Sequence, residues 1–460
     1  MSSYKKLLKN SSIFAIANLG TKIISLLLVP YYTFVLSTEE YGSVDLIVTT
    51  ISLIIPIITL SIFDSVLRFA MDMIDKREEI FSSAFIAMII GFILSLLLLP
   101  LVKLIPSIYK YVGLFYSIIL IQSIHILLSN FIRAIGKIKL FALDGVFNTI
   151  VLLTSNIILL TFFNYGIKGY LISILVSHIM SCMFILLFGK VLTYIKFNKY
   201  DKNIVKEMLL YSIPLIPNAL MWWVMNVSDR YIITIFLGYT ANGLYAIANK
   251  IPGLLNIVNS IFFQAWQLSA IEESNSKTKS NFYTNVFNIF ATTMLLVTSI
   301  LVLIIKPMIR LIVSSEYQEC WKYTPFLLLG IVFSSFSSFL GTNYIAMKKT
   351  NGVFKTSIIG AIINIILNII TIPIIGINGA AISTMISFLV VWILRIKDTK
   401  EYVNISINKR EIVNTLFIIG IQISVLFVEI KFDIFIQLIL FIIIILININ
   451  YIKQLVKKIY

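Results

Sequence analysis

The sequence has 460 residues, of which 59% are hydrophobic and 13% are charged, and its net charge is +16. Because that charged share is about half of what soluble proteins carry, such a chain could not cover a water-exposed surface with polar groups. The basic residues lie mostly in short loops between apolar runs, which is typical of a membrane protein and argues against nucleic-acid binding.

Long apolar runs predict membrane-spanning helices along the whole chain. With their flanks the runs reach about 20 residues, the length that a helix needs to cross the hydrocarbon core, and they lack the alternation of barrel strands. The first run extends to about Leu36, which is too long for a signal peptide. We therefore predict an all-α integral membrane protein with about 14 transmembrane helices. The expected helices are 11–36, 44–70, 80–101, 113–134, 143–163, 169–190, 211–237, 244–268, 283–305, 324–346, 354–374, 380–396, 413–428 and 434–452.

The distribution of basic residues predicts the orientation of these helices. If the N-terminus is cytoplasmic, cytoplasmic segments contain 26 of the 37 Lys and Arg residues, external segments contain 7 and the spans contain 4. Such an excess places both termini in the cytoplasm, which also agrees with an even number of helices.

Two internal matches predict a duplicated architecture. Residues 166–177 (GIKGYLISILVS) and 376–387 (GINGAAISTMIS) are identical at 6 of 12 positions, and residues 35–42 match residues 236–243 more weakly. Both matches fall at external hairpins, so helices 1–6 and 7–12 are expected to form two parallel six-helix lobes around a central cavity, followed by two C-terminal helices. The predicted divisions are an N-lobe (1–190), a cytoplasmic linker (191–210), a C-lobe (211–397), and helices 13–14 with a basic tail (398–460).

Charged residues inside the predicted spans are candidates for a transport site, because ionisable groups in a bilayer are costly and usually face a cavity or a partner. Lys22 lies 11 residues into helix 1, at about 16 Å depth, with Asn18 one turn before it. In the second lobe, Asp229 and Arg230 on helix 7 share a depth with Lys250 on helix 8. Surplus positive charge in a cavity favours an anionic substrate.

Further polar and aromatic residues accompany these charges. Asp64 and Arg68 lie one turn apart near the inner end of helix 2. The residues expected to line the cavity beside the cations are Asn18, Trp223, Asn226, Asn249 and Asn256.

Structural roles compete with the functional ones at several of these positions. Asp229 could pair with Lys250 and hold helix 7 to helix 8, while Asp64 and Arg68 are expected to form a local ion pair. Trp223 suits either packing or a sugar-stacking platform. The remaining polar residues are interpreted as lone packed histidines rather than proton relays (His125 and His178), a helix N-terminal acid (Asp144) and interhelical hydrogen-bonding amides (Asn364 and Asn368).

The sequence contains no catalytic constellation, nucleotide-binding loop or metal-ligand cluster, and the spacing of Cys182 and Cys320 fits neither a metal nor a redox motif. We therefore expect a transporter rather than an enzyme, without a cofactor. A channel or a structural scaffold is the competing class, which the paired lobes and the charges within spans disfavour.

Three segments resemble the Wzx-type flippases, the polysaccharide exporters of the multidrug/oligosaccharidyl-lipid/polysaccharide exporter superfamily. They are residues 36–42 (LSTEEYG), residues 133–137 (RAIGK), and residues 227–251 (VSDRYIITIFLGYTANGLYAIANKI). The similarity covers essentially the whole chain, and the Asp-Arg…Gly…Gly-x-Tyr pattern of helices 7 and 8 is its most specific part.

The resemblance implies a flippase of the bacterial cytoplasmic membrane. It would move undecaprenyl-pyrophosphate-linked repeat units for capsule, O-antigen of lipopolysaccharide or related polymers. Lys22, Arg230, Lys250 and Arg68 would bind the anionic headgroup, and Asp229 or Asp64 could couple transport to H⁺ or Na⁺. The implied partners are the lipid-linked oligosaccharide, membrane lipid, and a polysaccharide polymerase with other assembly proteins.

Two alternatives within the same superfamily stay open. A lipid II flippase shares the fold and a cationic cavity. A cation-coupled multidrug exporter is disfavoured, because its site should be dominated by buried acids, whereas cations match or outnumber acids in these spans.

Overall fold

A computed structural model describes residues 20–22, 24–25, 27–102, 104–272, 279–346, 351–401, 403–428, 433–451 and 453. Within these ranges the chain is all-α, and 11 helices are long and apolar enough to cross a membrane. Three shorter apolar helices, Gly20–Val35, Pro252–Phe263 and Asp433–Ile447, accompany them. The prediction of a many-helix integral membrane protein is therefore confirmed.

The helices follow one another with short connections and are numbered here in chain order. They are α1 (Gly20–Val35), α2 (Thr38–Ile58), α3 (Ile62–Asp72), α4 (Arg77–Ser95), α5 (Leu99–Val102), α6 (Pro106–Tyr109), α7 (Val112–Ala134), α8 (Ile138–Asn156), α9 (Gly166–Gly189), α10 (Lys202–Ser212), α11 (Ile216–Ala248), α12 (Pro252–Glu272), α13 (Lys279–Ile312), α14 (Thr324–Ala346), α15 (Asn351–Ile375), α16 (Ile377–Thr399), α17 (Lys409–Val428) and α18 (Asp433–Ile447).

The predicted helix 2 is two helices rather than one. Ser37 caps α2 through a hydrogen bond from the backbone N–H of Glu40, in a reciprocal capping box. Leu60 and Ser61 then adopt positive φ angles of 48° and 51°, which ends the first helical path, and α3 begins at Ile62. The local sequence has no glycine at this break, so its apolar pattern predicts one continuous helix over residues 44–70.

A single glycine makes the turn within α11. Gly238 has φ +85° and ψ 178°, a backbone conformation that side chains rarely adopt. Asp229 and Tyr245 are nevertheless hydrogen bonded, although 16 residues of straight helix would separate them by about 24 Å. The chain therefore folds back at Gly238, within the interval predicted between helices 7 and 8, although residues 239–243 of that interval are helical.

The predicted helix 8 is also interrupted. Helical structure stops at Ala248, residues 249–251 form a turn, and α12 starts at Pro252, where a proline suits the first helical position. Lys250 lies in this turn and its side chain is exposed. In membrane transporters such non-helical backbone is tolerated where it is buried in protein or lines a water-filled cavity.

The chain divides into two compact units, residues 1–223 and 224–460. In the first unit, α3, α4, α7 and α9 bury one apolar core around Phe81 and Phe131, and α2, α7 and α9 bury another around Ile47 and Phe115. The predicted linker packs on this unit. The backbone N–H groups of Lys196 and Asp201 donate to the hydroxyls of Ser82 and Ser83, both at 2.9 Å. The predicted lobe divisions stay predictions.

The charges of the linker add a second contact on the same surface. Glu78 forms ion pairs with Lys196 and Lys199, both at 2.7 Å. The carboxylate of Glu78 raises the pKa of Lys199, chiefly through this hydrogen bond. Since both lysines are largely solvated, the pairs position the linker and add little stability.

The two matched sequence repeats have equivalent local structure. Gly166 and Gly376 both have positive φ, at 49° and 65°; Gly166 is the first residue of α9, and Gly376 directly precedes α16. Three residues later, a Cβ on Gly169 would lie 3.2 Å from the carbonyl oxygen of Leu159, and one on Gly379 would lie 2.6 Å from the carbonyl of Thr371. Both glycines allow the helices of a hairpin to approach closely.

The second unit contains an aromatic core and carries the last two helices. Trp266 stacks on Phe339 with ring centroids 4.3 Å apart, and Phe262 stacks on Phe290 at 4.0 Å. Helices α17 and α18 pack against α13. The hydroxyl of Ser299 donates to Gln422 Oε1 at 2.7 Å, which joins α13 to α17 by a buried hydrogen bond.

Candidate functional site

Asp229 lies at the centre of a buried polar cluster in the second unit. The residue is 2% exposed, and Oδ2 accepts hydrogen bonds from the hydroxyls of Tyr245 and of Thr384, the latter at 3.3 Å. Its other oxygen accepts the backbone N–H of Arg230 at 3.0 Å. The carboxylate is therefore satisfied within its own unit, by three donors from α11 and α16.

A chain of amides and hydroxyls extends this cluster into α15. Asn364 Nδ2 donates to Ser387 Oγ at 3.1 Å and to Thr384 Oγ1 at 3.3 Å, and Asn364 Oδ1 accepts from Asn368 Nδ2 at 3.1 Å. Ser228 also donates to Asn364 Oδ1 at 3.1 Å. The prediction that Asn364 and Asn368 make interhelical hydrogen bonds is confirmed for Asn364, which joins α11, α15 and α16.

Arg230 is directed differently from the acid beside it. Its Nη1 donates to the backbone carbonyl of Asn226 at 3.0 Å and lies 3.9 Å from Asp229 Oδ1, and its side chain is 12% exposed. The guanidinium thus stays close to one negative charge while part of it reaches the surface of the unit. The side chain of Asn226 is exposed.

The predicted pairing of Asp229 with Lys250 is wrong. The partners of Asp229 are Tyr245, Thr384 and Arg230, and Lys250 makes no ion pair among the described residues. The reason is the turn at Gly238 together with the break at residues 249–251, which direct Tyr245 toward Asp229 and leave Lys250 exposed. Asn249, beside it, donates to the carbonyl of Tyr245 at 3.0 Å.

The first unit contains the other two predicted cations. Arg68 Nε pairs with Asp72 Oδ2 at 3.1 Å, so the expected pair with Asp64 is wrong. The pair lies on α3 and both side chains are at least half exposed, at 62% and 50%. Lys22 on α1 is exposed, and Asn18 lies outside the described residues.

The remaining predicted side chains lie apart from the polar cluster. Trp223 donates from Nε1 to Ser52 Oγ at 3.3 Å, both within the first unit. Asn256 on α12 is exposed. The structure therefore does not bring all the predicted site residues together within either unit.

The two histidines of the chain form a second polar cluster, in the first unit. His125 Nδ1 and His178 Nδ1 are 2.9 Å apart, and His125 Nε2 lies 2.8 Å from Asp144 Oδ2. The prediction of lone packed histidines is wrong, because α7, α8 and α9 bring these side chains into one hydrogen-bonded row.

Sequence reasoning missed Tyr245 and Thr384. The sequence does contain a signal for Thr384, because Ser383, Thr384 and Ser387 interrupt an apolar span at helical spacing. No group of three or more His, Cys, Asp or Glu that could hold a metal ion occurs in the part of the chain that the structure describes.

Two solved structures have a fold similar to that of this chain. The lipid II flippase MurJ in an inward closed conformation superposes with a TM-score of 0.66 at 18% identity, covering 96% of this chain and 99% of that chain. An inward-facing multidrug resistance MATE family transporter of the MOP superfamily superposes with a TM-score of 0.61 at 14% identity, covering 86% and 94%. These likenesses define a multi-pass membrane protein with the MurJ/MATE-like transporter fold.

The family follows from the sequence match. A family model described as polysaccharide biosynthesis protein matches residues 7–267, more than half of the chain, so the chain belongs to that family. The chain is also 27% identical over 238 residues to the uncharacterized membrane protein MJ1068 of Methanocaldococcus jannaschii, a match that covers 47% of this chain and only 45% of that relative. The resemblance to polysaccharide exporters is thus confirmed at the level of the family.

Proposed function

We propose that this protein flips undecaprenyl-pyrophosphate-linked oligosaccharide repeat units across the bacterial cytoplasmic membrane by alternating access. In this proposal the lipid tail stays in the bilayer and only the anionic headgroup passes through the protein. Arg230, Lys250, Lys22 and Arg68 replace part of the hydration of the pyrophosphate, since Lys and Arg bind phosphate oxygens by charge-assisted hydrogen bonds. Both termini are cytoplasmic in this arrangement.

The observation that carries the proposal is the unequal exposure of opposite charges in the second unit. Asp229 is 2% exposed and satisfied by its own unit, whereas Arg230 is 12% exposed and Lys250 is exposed in the break between α11 and α12. The charges that a substrate could reach at this level are therefore cationic. This favours an anionic headgroup and disfavours the export of organic cations.

Asp229 is proposed to couple transport to an ion. Its carboxylate is held by the hydroxyls of Tyr245 and Thr384 from two helices, so binding of H⁺ or Na⁺ would alter the contact between α11 and α16. Asp64, exposed on α3, supports such a role less well, because no described residue from another helix holds its carboxylate.

Flipping by the purified protein in proteoliposomes tests the cationic site. Alanine at Arg230 and at Lys250 should each slow the movement of a polyprenyl-pyrophosphate oligosaccharide about tenfold or more, since a hydrogen bond to a charged group contributes about 1.5–3 kcal/mol. Lys322→Ala, in the connection between α13 and α14, removes a half-buried cation whose partner is Glu319 and should leave the rate unchanged. Normal flipping by both site variants would refute the assignment.

A lipid II flippase is the second candidate function. It is favoured by the structural match to MurJ, which covers 96% of this chain where the MATE match covers 86%. Both substrates share a polyprenyl pyrophosphate and differ in the sugar. Competition between an oligosaccharide-linked lipid and lipid II in the same vesicles distinguishes the two candidates, and the proposal predicts preference for the oligosaccharide lipid.

A further inference from the structure

His125, His178 and Asp144 form a hydrogen-bonded row that the proposed headgroup site does not use. His125 lies on α7, His178 on α9 and Asp144 on α8. The two Nδ1 atoms of the histidines are 2.9 Å apart, and Nε2 of His125 lies 2.8 Å from Oδ2 of Asp144. His178 lies near the middle of α9, roughly 18 Å from either end of the helix. Asp144 is 2% exposed and the His125 side chain is 12% exposed.

The number of hydrogens that the two hydrogen bonds can hold limits the charge states of this row. A hydrogen bond between two Nδ1 atoms requires one hydrogen on one of them, so His125 and His178 cannot both be imidazolium ions in this geometry. With Asp144 ionised and both rings neutral, the row has one negative charge. One added proton makes it neutral without breaking either hydrogen bond.

Two atoms at the ends of the row have unused capacity. Asp144 Oδ1 is buried and has no hydrogen-bond partner among the described residues. Nε2 of His178 also has no hydrogen-bond partner among the described residues, because the hydrogen bond of this ring is made by Nδ1. A row that served only to fasten three helices would be expected to satisfy its buried carboxylate, because an unpaired buried polar atom is costly.

We propose that His178, His125 and Asp144 form a proton-binding relay in the first unit, which couples movement of the anionic lipid to the proton gradient. The coupling rests on the function proposed above, whereas the binding of the proton does not. The relay takes up one proton in each cycle, and with proton coupling supplied there the ion bound at Asp229 would be Na⁺.

The relay step shifts one proton along existing hydrogen bonds. A proton binds Nε2 of His178 while its Nδ1–H passes to Nδ1 of His125. The Nε2–H of His125 then passes to Oδ2 of Asp144. The row begins with a carboxylate and two neutral rings, and it ends with a carboxylic acid and two neutral rings of the opposite tautomer. One proton has entered, and both hydrogen bonds persist with reversed direction.

Among the residues that the structure describes, few other titratable groups lie near the relay. The Cys182 thiol lies one turn after His178 on α9. On α1, Lys22 follows Thr21, whose methyl carbon would lie 3.9 Å from a Cβ on Gly145. The basic residues at the ends of α7 and α8 have other contacts, since Arg133 lies over the ring of Phe141 and Lys137 donates to the carbonyl of Gly189.

Proton binding can be measured without a transport assay, because the protein contains only two histidines. Magic-angle-spinning NMR of the full chain labelled with ¹⁵N-histidine in lipid bilayers therefore reports this row alone. Over a titration from about pH 5 to about pH 9, the signals of both rings should change together in one transition, because each ring changes from one neutral tautomer to the other. Imidazole signals that stay constant over this range would overturn the relay.

Three variants separate a relay from a fastening contact. Asp144→Asn and His178→Gln keep a hydrogen-bonding side chain but cannot pass the proton. In Asp144→Asn the joint transition should be lost, and in His178→Gln, which leaves one histidine, the His125 signal should stay constant, while both variants still fold. Asn156→Ala is the matched control on α8, because it removes a buried interhelical bond, 3.0 Å long, from Asn156 Nδ2 to the hydroxyl of Tyr32. The control should keep the joint transition.

A pH difference across proteoliposomes tests the coupling. If one proton moves per lipid, one pH unit can raise the accumulation of the pyrophosphate lipid up to about tenfold. Asp144→Asn and His178→Gln should lose this response and keep a slow equilibration, while Asn156→Ala should retain it. Lipid movement by the unmodified protein that ignores the pH difference overturns the coupling. If that protein moves no lipid but its histidines titrate together, the proposed function fails and the proton site stands.

Discussion

Tyr245 donates a hydrogen bond to Asp229 across a turn that a single glycine, Gly238, makes possible. Both side chains are nearly inaccessible, at 1% and 2% exposure, and both lie on the helical segments that meet at that turn. A carboxylate in an apolar span is stable only with donors around it. The contact therefore determines how the two halves of α11 pack, and it explains why Asp229 does not reach Lys250.

Removal of the Tyr245 hydroxyl should destabilise the second unit. Tyr245→Phe keeps the ring but deprives Asp229 of a donor, and a buried group left unsatisfied costs about 1–3 kcal/mol. We expect a lower midpoint of thermal unfolding for the purified protein in detergent. Tyr200→Phe, at an exposed tyrosine, is the control and should leave the midpoint unchanged. Equal midpoints for the two variants would show that the hydroxyl contributes no stability.

The membrane spans could be predicted from the sequence because their signal is local. A run of about 20 apolar residues has few structural solutions in a bilayer, and the two matched repeats placed the hairpins before α9 and α16 correctly. The break between α2 and α3 could not be predicted in the same way. It depends on positive φ angles at Leu60 and Ser61, residues that rarely adopt them.

The polar contacts were harder to predict than the spans. Proximity in sequence predicts an ion pair between Asp64 and Arg68, whereas in the structure Arg68 pairs with Asp72. Contacts such as Asp229 with Thr384, 155 residues apart, depend on which helix faces meet. Helical spacing identifies the face of one helix, but not the neighbouring helix that the face contacts.

Gly379 should not tolerate a methyl group. A Cβ there would lie 2.6 Å from the backbone of Thr371, so Gly379→Ala forces α15 and α16 apart. Overpacking of this kind typically costs about 1–3 kcal/mol, and thermal unfolding should show it. Gly420→Ala on α17 meets nothing within 4 Å and is the matched control. It should be neutral or stabilising, because alanine favours helix over glycine by about 1 kcal/mol.

Cys320 should be unreactive while the protein is folded. Burial raises the pKa of its thiol to about 12. At pH 8 the reactive thiolate is then about one molecule in ten thousand, whereas an exposed cysteine with a pKa of about 8.5 is substantially ionised. Raising the pH increases the thiolate fraction, so reactivity should rise steeply above pH 8.

Alkylation with a maleimide measures this difference. In a Cys182→Ala variant the remaining thiol is Cys320, and labelling at pH 8 should be slow in the folded protein and rapid after denaturation. Rapid labelling of the folded variant would mean that the segment from Ser315 to Lys322 is open to solvent. The unmodified protein serves as the comparison, with two thiols labelled after denaturation.

The stability of the buried charge of Arg395 should depend on the geometry of its hydrogen-bond donors. The side chain is 1% exposed, and it donates to the carbonyl of Ser337 at 2.8 Å, Thr356 Oγ1 at 3.0 Å and Ser357 Oγ at 3.2 Å. No carboxylate among the described residues forms an ion pair with it. The guanidinium therefore joins α14, α15 and α16 by hydrogen bonds alone.

Arg395→Lys should destabilise the folded protein more than Arg395→Met. Arg395→Lys keeps the buried charge but cannot reach three acceptors with one ammonium group, whereas Arg395→Met removes both the charge and its desolvation cost. The hydroxyls of Thr356 and Ser357 can turn to carbonyls of their own helix, as Thr356 already does toward Gly352 at 2.9 Å. We expect the unfolding midpoint to fall further for Arg395→Lys than for Arg395→Met, by an amount equivalent to about 1–3 kcal/mol. A lysine variant as stable as the unmodified protein would mean that charge alone, without the fork of donors, joins the three helices.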